Sequence, residues 1–262
     1  GIKNIPNKNF EDILNKNIKI PKKNNRKIKI ISCGMIGSKQ GWLDTGYEKN
    51  LNLTKNNLVK VKTKNKNIDF YIVKGLSQKQ PYDVIRGEET QVLGYLESDK
   101  KFSGFICLPG THSKWIKITK GKLINFKTYM TGELFEIISR NSILKYSIND
   151  KKINLKIFKN SVLLSQKKYF NLFDYLFEFR SRSLLTKKKY YPKSELLAYL
   201  IGNEIKSNIN NLRNFKVIII GSDYNSKLYS QAMQILKIDN KIINSKNVTI
   251  NGLRILLNKF VN

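Results

Sequence analysis

An arginine, a glycine and two adjacent carboxylates stand together at the predicted start of a helix. The run covers residues 83–91 and contains Arg86, Gly87, Glu88 and Glu89 in succession. Carboxylates in the first turn of a helix are stabilised by its dipole, so the pair is expected on structural grounds alone, with Arg86 as a partner. The same residue types also suit catalysis, because a carboxylate can take a proton from a hydroxyl and an arginine can hold an anion.

A second run leaves a predicted buried strand through a turn. Residues 108–115 are Leu-Pro-Gly-Thr-His-Ser-Lys-Trp, so backbone amides, the hydroxyls of Thr111 and Ser113 and the Lys114 ammonium are available to a phosphate. The G-x-x-x-x-G-K-S/T pattern of a Walker loop is absent. His112 is the single histidine, which favours a hydrogen-bonded structural role over a metal site or a catalytic triad.

Two further glycine-bearing runs have both an ordinary and a functional interpretation. Residues 34–42 are Gly-Met-Ile-Gly-Ser-Lys-Gln-Gly-Trp, and such close glycines let a backbone approach a ligand. Trp42 at the end of this run either packs in a core or flanks a sugar ring. In residues 217–223 an apolar strand enters Gly221 and Ser222 before a predicted helix, which is either a common strand-to-helix turn or a nucleotide contact.

The elements that must position these residues alternate between short apolar strands and helical stretches. Strands are predicted at 28–32, 69–73, 105–108 and 217–220, and a hairpin at 115–118 and 123–126 with Lys120 and Gly121 in its turn. Helices are predicted at 10–14, 89–96, 133–139 (with Thr131 as N-cap), 169–182, 194–206, 227–236 and 252–260. Residues 141–166 are expected to form a loop or a variable insertion. The pattern predicts an α/β chain with partly parallel sheets and a domain boundary near 98–103.

The charge has two explanations that the sequence leaves open. The 262 residues contain 49 Lys and Arg against 19 Asp and Glu, a net charge of +30. A nucleic-acid surface would explain this excess, but its basic residues should be clustered and rich in arginine. Here they are mostly lysines spread over nearly every segment, which favours compositional drift in a chain crowded with Lys, Asn and Ile.

The cysteines and the apolar runs suggest a compartment. Cys33 and Cys107 are isolated and sit in apolar runs, so both are expected to be reduced core residues of a cytoplasmic protein. No run approaches the roughly 18 apolar residues of a membrane helix, and the polar N-terminus shows no signal peptide. We therefore expect no membrane partner.

Together these runs resemble the 2-dehydro-3-deoxygalactonokinase family. The resemblance rests on residues 34–42, 84–91, 108–115 and 130–134, with weaker support at 176–182 and 200–204, and it covers nearly the whole chain. It implies an actin-like ATPase (ribonuclease H-like) fold with two α/β domains around a cleft, residues 1–100 on the substrate side and 101–262 on the ATP side. The implied reaction transfers the γ-phosphoryl of ATP, with Mg²⁺, to the 6-hydroxyl of 2-dehydro-3-deoxygalactonate. The product would feed an aldolase in galactonate breakdown.

The resemblance also implies roles for individual residues. Glu88 would be the base that takes the proton of the attacking hydroxyl, with Glu89 as the alternative. Contacts to the sugar acid would come from Gly37, Ser38, Lys39, Gln40, Trp42 and Arg86, with Lys39 and Arg86 on its carboxylate. Contacts to ATP would come from Gly110, Thr111, Ser113, Lys114, Gly221 and Ser222.

One departure from the family pattern concerns the metal. The family begins with a strand and an Asp-x-Gly-Thr or Asp-x-Gly-Ser turn that holds phosphates and, through its Asp, the metal. No such turn occurs here, since residues 44–47 follow Trp42 and lack the final hydroxyl. We therefore expect that the first strands are missing from this sequence and that it binds Mg·ATP weakly. The rivals are a kinase of this fold for another sugar or sugar acid, a basic nucleic-acid-binding protein and a non-catalytic remnant.

Overall fold

The chain forms two compact α/β units. The computed structural model describes residues 9–18, 27–49, 51–148, 150, 152–186, 190–208, 215–221 and 224–261. The first unit takes its residues from 1–102, 118–125 and 245–262, and the second from 103–117 and 126–244. Both units mix helices with strands, which confirms the predicted α/β class.

The strands of the first unit form two small sheets. They are β1 (Ile28–Ser32), β2 (Tyr47–Glu48), β3 (Leu58–Val61), β4 (Ile68–Val73), β5 (Gly75–Lys79) and β6 (Tyr82–Ile85). One sheet has the order β1-β4-β3, with β1 parallel and β3 antiparallel to β4, and the other has the order β2-β5-β6. The alternating apolar residues of β4 bury Ile68, Phe70 and Ile72 in the core of this unit.

Three helices complete the first unit: α1 (Phe10–Asn17), α2 (Glu88–Leu96) and, from the far end of the sequence, α8 (Ser245–Phe260). Helices α2 and α8 touch backbone to backbone, because a Cβ at Gly94 would lie 1.8 Å from the Val248 carbonyl oxygen. A Cβ at Gly252 would lie 2.0 Å from that of Thr90. The predicted division after residue 100 assigned the last helix to the second domain, whereas its contacts place it in the first unit.

The second unit contains most of a five-stranded sheet, although residues 118–125, which include the turn of its hairpin, belong to the first unit. The strands of the sheet are β7 (Gly104–Leu108), β8 (Ser113–Thr119), β9 (Lys122–Tyr129), β10 (Lys216–Ile220) and β11 (Asn240–Ile243), in the order β11-β10-β7-β8-β9. Strand β10 runs parallel to both β7 and β11. The predicted hairpin is confirmed, and its turn residues Lys120 and Gly121 both have positive φ, as a tight two-residue turn requires.

The helices of the second unit are α3 (Thr131–Glu136), α4 (Leu155–Ser165), α5 (Leu172–Leu185), α6 (Pro192–Lys206) and α7 (Tyr224–Ile235). Helix α4 corrects the loop predicted at 141–166. Asn154 caps it by accepting a hydrogen bond of 3.1 Å from the Ile157 amide, and Phe158 and Val162, one turn apart, are buried in the core. Helix α3 also differs, since its N-cap is Met130 and Thr131 is its first residue.

Candidate active site

Arg86 holds the glycine-rich loop of the first unit. Its Nη1 donates hydrogen bonds to the Gly37 carbonyl and, at 2.8 Å, to the Thr45 hydroxyl, while Nη2 donates to the Gly46 carbonyl at 3.1 Å. The guanidinium also lies 4.3 Å from the centre of the Tyr47 ring, a cation–π distance. These contacts use both terminal nitrogens of the guanidinium to hold the loop, whereas the buried Nε has no hydrogen-bond partner among the described residues. A contact from Arg86 to a substrate carboxylate stays a prediction.

Only some of the substrate-binding residues predicted in this loop are exposed to solvent. Lys39 and Gln40 are exposed, whereas Gly37 is buried and Ser38 donates its hydroxyl to the Met35 carbonyl at 2.8 Å. Trp42 has its ring centre 4.8 Å from that of Phe70 and joins the core of the first unit. Trp42 therefore packs against the core, as one interpretation predicted, while its contact with a sugar ring stays a prediction. The Ser38 hydroxyl already has an acceptor.

The two adjacent carboxylates are the first two residues of helix α2, and the residue before them, Gly87, lies against the glycine-rich loop. Gly87 has φ +103°, and a Cβ there would lie 3.1 Å from Gly34 Cα, so the glycine allows the two segments to touch. Glu88 is half-buried and accepts a hydrogen bond of 2.7 Å from the Arg86 amide. Glu89 is only 2% exposed and accepts from the Gly87 amide at 2.6 Å and from the Thr90 hydroxyl at 3.0 Å.

The two carboxylates differ in burial, and therefore in pKa and in access to a substrate. Burial, and then the charge of Glu88, raises the pKa of Glu89 to about 7. A raised pKa alone would suit a general base, but the side chain of Glu89 is closed off from solvent. Glu88 keeps partial exposure at the positive end of the helix and is the accessible carboxylate of the pair.

In the second unit the turn at residues 109–112 joins β7 to β8. Thr111 and His112 are exposed, and a Cβ at Gly110 would have no atom closer than 3.9 Å. The carbonyls of Thr111 and His112 accept hydrogen bonds of 2.9 Å from the Glu133 amide and from Lys114 Nζ. The carbonyls of Thr111 and His112 are thus both held by donors of the protein itself.

His112 is also tied to α3, as the structural interpretation predicted. Its Nε2 is hydrogen-bonded to a carboxylate oxygen of Glu133 at the exposed surface of the unit. Gly132 allows the helix to approach, since a Cβ there would lie 2.4 Å from the Gly110 carbonyl oxygen. The turn and the start of α3 therefore form one packed corner.

Ser113 does not serve as expected. It is fully buried, and its hydroxyl donates a hydrogen bond of 2.7 Å to Glu204 Oε2, so it is turned inward from the place where a phosphate could reach it. The predicted cap Thr131 donates its hydroxyl to the same oxygen. The sequence reasoning gave Glu204 no role, although a charged residue inside the apolar run Leu196–Ile205 was a signal that it is buried with partners.

Gly221 directly follows strand β10, and its amide donates to the Ile243 carbonyl at 3.0 Å. A Cβ at this position would lie 1.9 Å from the Ser226 hydroxyl oxygen, so α7 starts close against the glycine. Ser222, predicted beside it, lies outside the described residues. Its role in holding ATP stays a prediction.

Among the residues that the structure describes, no three His, Cys, Asp or Glu side chains cluster so that they could hold a metal ion. We therefore assign no metal ligand. None of the described helices is long and apolar enough to cross a membrane.

Comparisons with known proteins identify the family. A curated protein from Rhizobium meliloti (strain 1021), named as a probable 2-dehydro-3-deoxygalactonokinase, is 40% identical over 126 residues. The 2-dehydro-3-deoxygalactonokinase of Escherichia coli (strain K12) is 31% identical over 120 residues. Each match spans 45% of this chain and 40% of the relative's length. A crystal structure from Sinorhizobium meliloti, described as that of a putative 2-dehydro-3-deoxygalactonokinase, superposes with a TM-score of 0.83 at 28% identity, covering 95% of this chain and 83% of that one.

The structural match confirms the predicted fold class, the α/β fold of actin-like ATPases. The sequence profile of the family described as 2-keto-3-deoxy-galactonokinase matches residues 1–256, nearly all of the 262. This chain therefore belongs to the 2-keto-3-deoxy-galactonokinase family.

Proposed function

We propose that this protein transfers the γ-phosphoryl group of ATP to the 6-hydroxyl of 2-dehydro-3-deoxygalactonate. The family match over residues 1–256 is the observation that carries the proposal. The curated relatives bear the name of this activity, but the matched segments span 40% of their length, so the substrate stays part of the proposal.

Glu88 is our proposed base. Phosphoryl transfer depends mainly on alignment and charge neutralisation, so the base need only orient the attacking hydroxyl and accept its proton late. Glu88 is half-buried and therefore reachable from solvent, and the hydrogen bond from the Arg86 amide to its Oε2 orients the carboxylate. The buried Glu89 beside it is the less suitable alternative.

The sugar acid would lie against the loop that Arg86 holds. Lys39 and Gln40 are the predicted substrate residues whose side chains reach solvent, and the Lys39 ammonium suits a carboxylate. Arg86 would act on the substrate through the loop. Gly37, Ser38 and Trp42 would shape the loop from within.

ATP would be bound by the second unit. We propose that Gly110 and Thr111 offer the exposed turn to its phosphates, that Lys114 adds positive charge, and that Gly221 and Ser222 lie along the adenosine. Mg²⁺ is expected to arrive with the nucleotide, because this ion is commonly held by phosphates, waters and only one or two carboxylates. We propose no specific nucleic-acid or membrane partner.

A cytoplasmic location is also part of the proposal, and the cysteines support it. Both are free thiols, and burial raises the pKa of Cys33 to about 12 and that of Cys107 well above its usual value. Thiols that stay protonated are poor nucleophiles and oxidise slowly. The observation that bears on the compartment is that both cysteines of the sequence are free, since disulfides are rare in a reducing compartment.

The test is an ADP-release assay on the full-length protein with ATP, Mg²⁺ and 2-dehydro-3-deoxygalactonate, beside Glu88→Gln. We expect kcat to fall by about 10²–10⁴-fold in the variant, with unchanged ATP affinity, because a general base contributes that much. The control is Glu97→Gln, an exposed carboxylate that follows α2 and pairs with Lys100 at 3.1 Å. Turnover only with a different sugar or sugar acid would reassign the substrate. No turnover with any of them would overturn the proposal and reopen nucleic-acid binding.

A further inference from the structure

One buried carboxylate collects hydrogen bonds from three separate elements of the second unit. Glu204, on α6, is 3% exposed. Its Oε1 accepts from the Trp115 indole at 2.6 Å, and its Oε2 accepts from the Ser113 hydroxyl at 2.7 Å and from the Tyr229 hydroxyl at 2.7 Å. The Thr131 hydroxyl donates to Oε2 as well. All four donors therefore point at one ionisable group that has no part in the proposed chemistry.

The donors belong to the elements that surround the proposed phosphate turn. Ser113 and Trp115 lie in β8, where the chain leaves the turn, and Thr131 begins α3. The next residue, Gly132, packs against the carbonyl of Gly110 in the turn itself. Tyr229 lies in α7, the helix that follows the proposed adenosine contact at the end of β10.

Stability alone gives little reason for a carboxylate at this place. Burying an ionised group costs several kcal/mol, and well-packed apolar residues often do as well or better. Burial raises the pKa of Glu204, and the four donors oppose this by stabilising the ionised form. A single acceptor that takes four donors does, however, fix the relative positions of the elements that carry them.

We propose that Glu204 is a positioning residue for the phosphate turn, holding residues 110–112 in register with α3 and α7. The inference rests on the proposed function, since it assumes that this turn binds the phosphates of ATP. A turn displaced by about 1 Å loses much of its alignment with the ligand, which can cost about 10²-fold in rate. Glu204 therefore affects the nucleotide through the backbone, without touching it.

The test separates binding of phosphates from binding of the nucleoside. ATP and adenosine are titrated by calorimetry into the full-length protein and into Glu204→Gln, which keeps the shape of the side chain. The carboxamide oxygen can still accept from Trp115, but its NH2 group then meets the hydroxyls of Ser113 and Tyr229, which lose their acceptor. We expect ATP affinity to fall about 10-fold or more, with adenosine affinity changed less than about twofold.

Two further variants guard against a trivial loss of folding. Thr131→Val removes only the link from Glu204 to α3, and we expect a smaller loss of ATP affinity with the same selectivity over adenosine. Glu195→Gln is the matched control, because Glu195 is a buried carboxylate of the same helix that pairs with Arg182 instead. It should lower the melting temperature while leaving the ratio of ATP to adenosine affinity unchanged.

The outcomes distinguish this inference from the proposed function. An unaltered protein that binds no ATP would overturn the proposed function and this inference with it. If the unaltered protein binds ATP and both Glu204→Gln and Thr131→Val keep its affinity ratio, only the inference is overturned. Should Glu204→Gln not fold, the ratio measured for Thr131→Val decides alone.

Discussion

Arg86 and Thr45 are joined by a hydrogen bond of 2.8 Å from the guanidinium Nη1 to the threonine Oγ1. Thr45 in turn donates to the Gly37 carbonyl at 3.0 Å, and Arg86 donates to the Gly46 carbonyl at 3.1 Å. One planar side chain thus ties both ends of the loop that exposes Lys39. The position of that loop depends on a fork of donors more than on a charge.

Arg86→Lys should therefore raise the KM for the sugar acid. A lysine keeps the charge but cannot donate to three acceptors in one plane, so the loop loses its fixed position. We expect a rise of about 10-fold, with the KM for ATP unchanged, measured by steady-state kinetics.

Arg182→Lys is the control for this change. Arg182 is half-buried like Arg86, but its partners are the carboxylates of Glu178 and Glu195 in the second unit. The Arg182→Lys variant should have a lower melting temperature and an unchanged KM for the sugar acid. Equal effects of the two variants on that KM would show that Arg86 contributes to stability alone.

Lys39→Met tests the proposed carboxylate contact directly. Lys39 is exposed, so removing its charge should change the fold little. We expect the KM for the sugar acid to rise by about 10-fold or more and the effect to shrink as salt screens the charge. Lys49→Met, an exposed lysine of the same unit, is the control and should leave the KM unchanged. A similar rise in both variants would indicate only a general attraction by the net charge of +30.

The sequence predicted the elements whose signal is local. The strand Lys216–Ile220 contains the continuous apolar run 217–220, and the hairpin turn at Lys120 and Gly121 has residues with positive φ. Helix α4 was not predicted because the polar residues of the surrounding stretch, 141–166, suggested a loop, although six of the eleven residues of the helix are apolar. Only the packing of Phe158 and Val162 against the sheet shows which face is buried.

Tertiary contacts decide the roles that the sequence could not. The run from Gly110 to Trp115 contains hydroxyls and a lysine suited to phosphate, yet the strand alternation turns Ser113 toward Glu204, a residue 91 positions away. Arg86 likewise reaches a loop 40 to 49 positions earlier. No local pattern shows such partners, so the sequence located the site segments but not the direction of each side chain.

Glu89→Gln should change how stability depends on pH. The pKa of Glu89 rises from 4.5 to about 7 on folding, chiefly through burial. Between these two pKa values the unfolded chain has lost the carboxyl proton that the folded chain keeps, so the free energy of unfolding falls as pH rises. Above about pH 7 the folded chain has also lost this proton, and the cost of holding a buried carboxylate is then fully expressed. Gln carries no such penalty. From pH 5 to pH 8 the variant should gain about 2–3 kcal/mol relative to the unaltered protein, measured by denaturant unfolding. Parallel pH profiles would contradict the raised pKa.

Gly252→Ala should destabilise the contact between α2 and α8. Inside a helix, Ala is normally about 1 kcal/mol better than Gly, so a loss of stability must come from the contact. The added Cβ would lie 2.0 Å from the Thr90 carbonyl oxygen, a backbone atom that can yield only if the helices separate. We expect a net loss of about 1–3 kcal/mol in the free energy of unfolding. Asn251→Ala, the exposed neighbour in the same helix, should change it by less than about 0.5 kcal/mol. A Gly252→Ala protein as stable as the unaltered one would mean that the two helices do not meet at this distance.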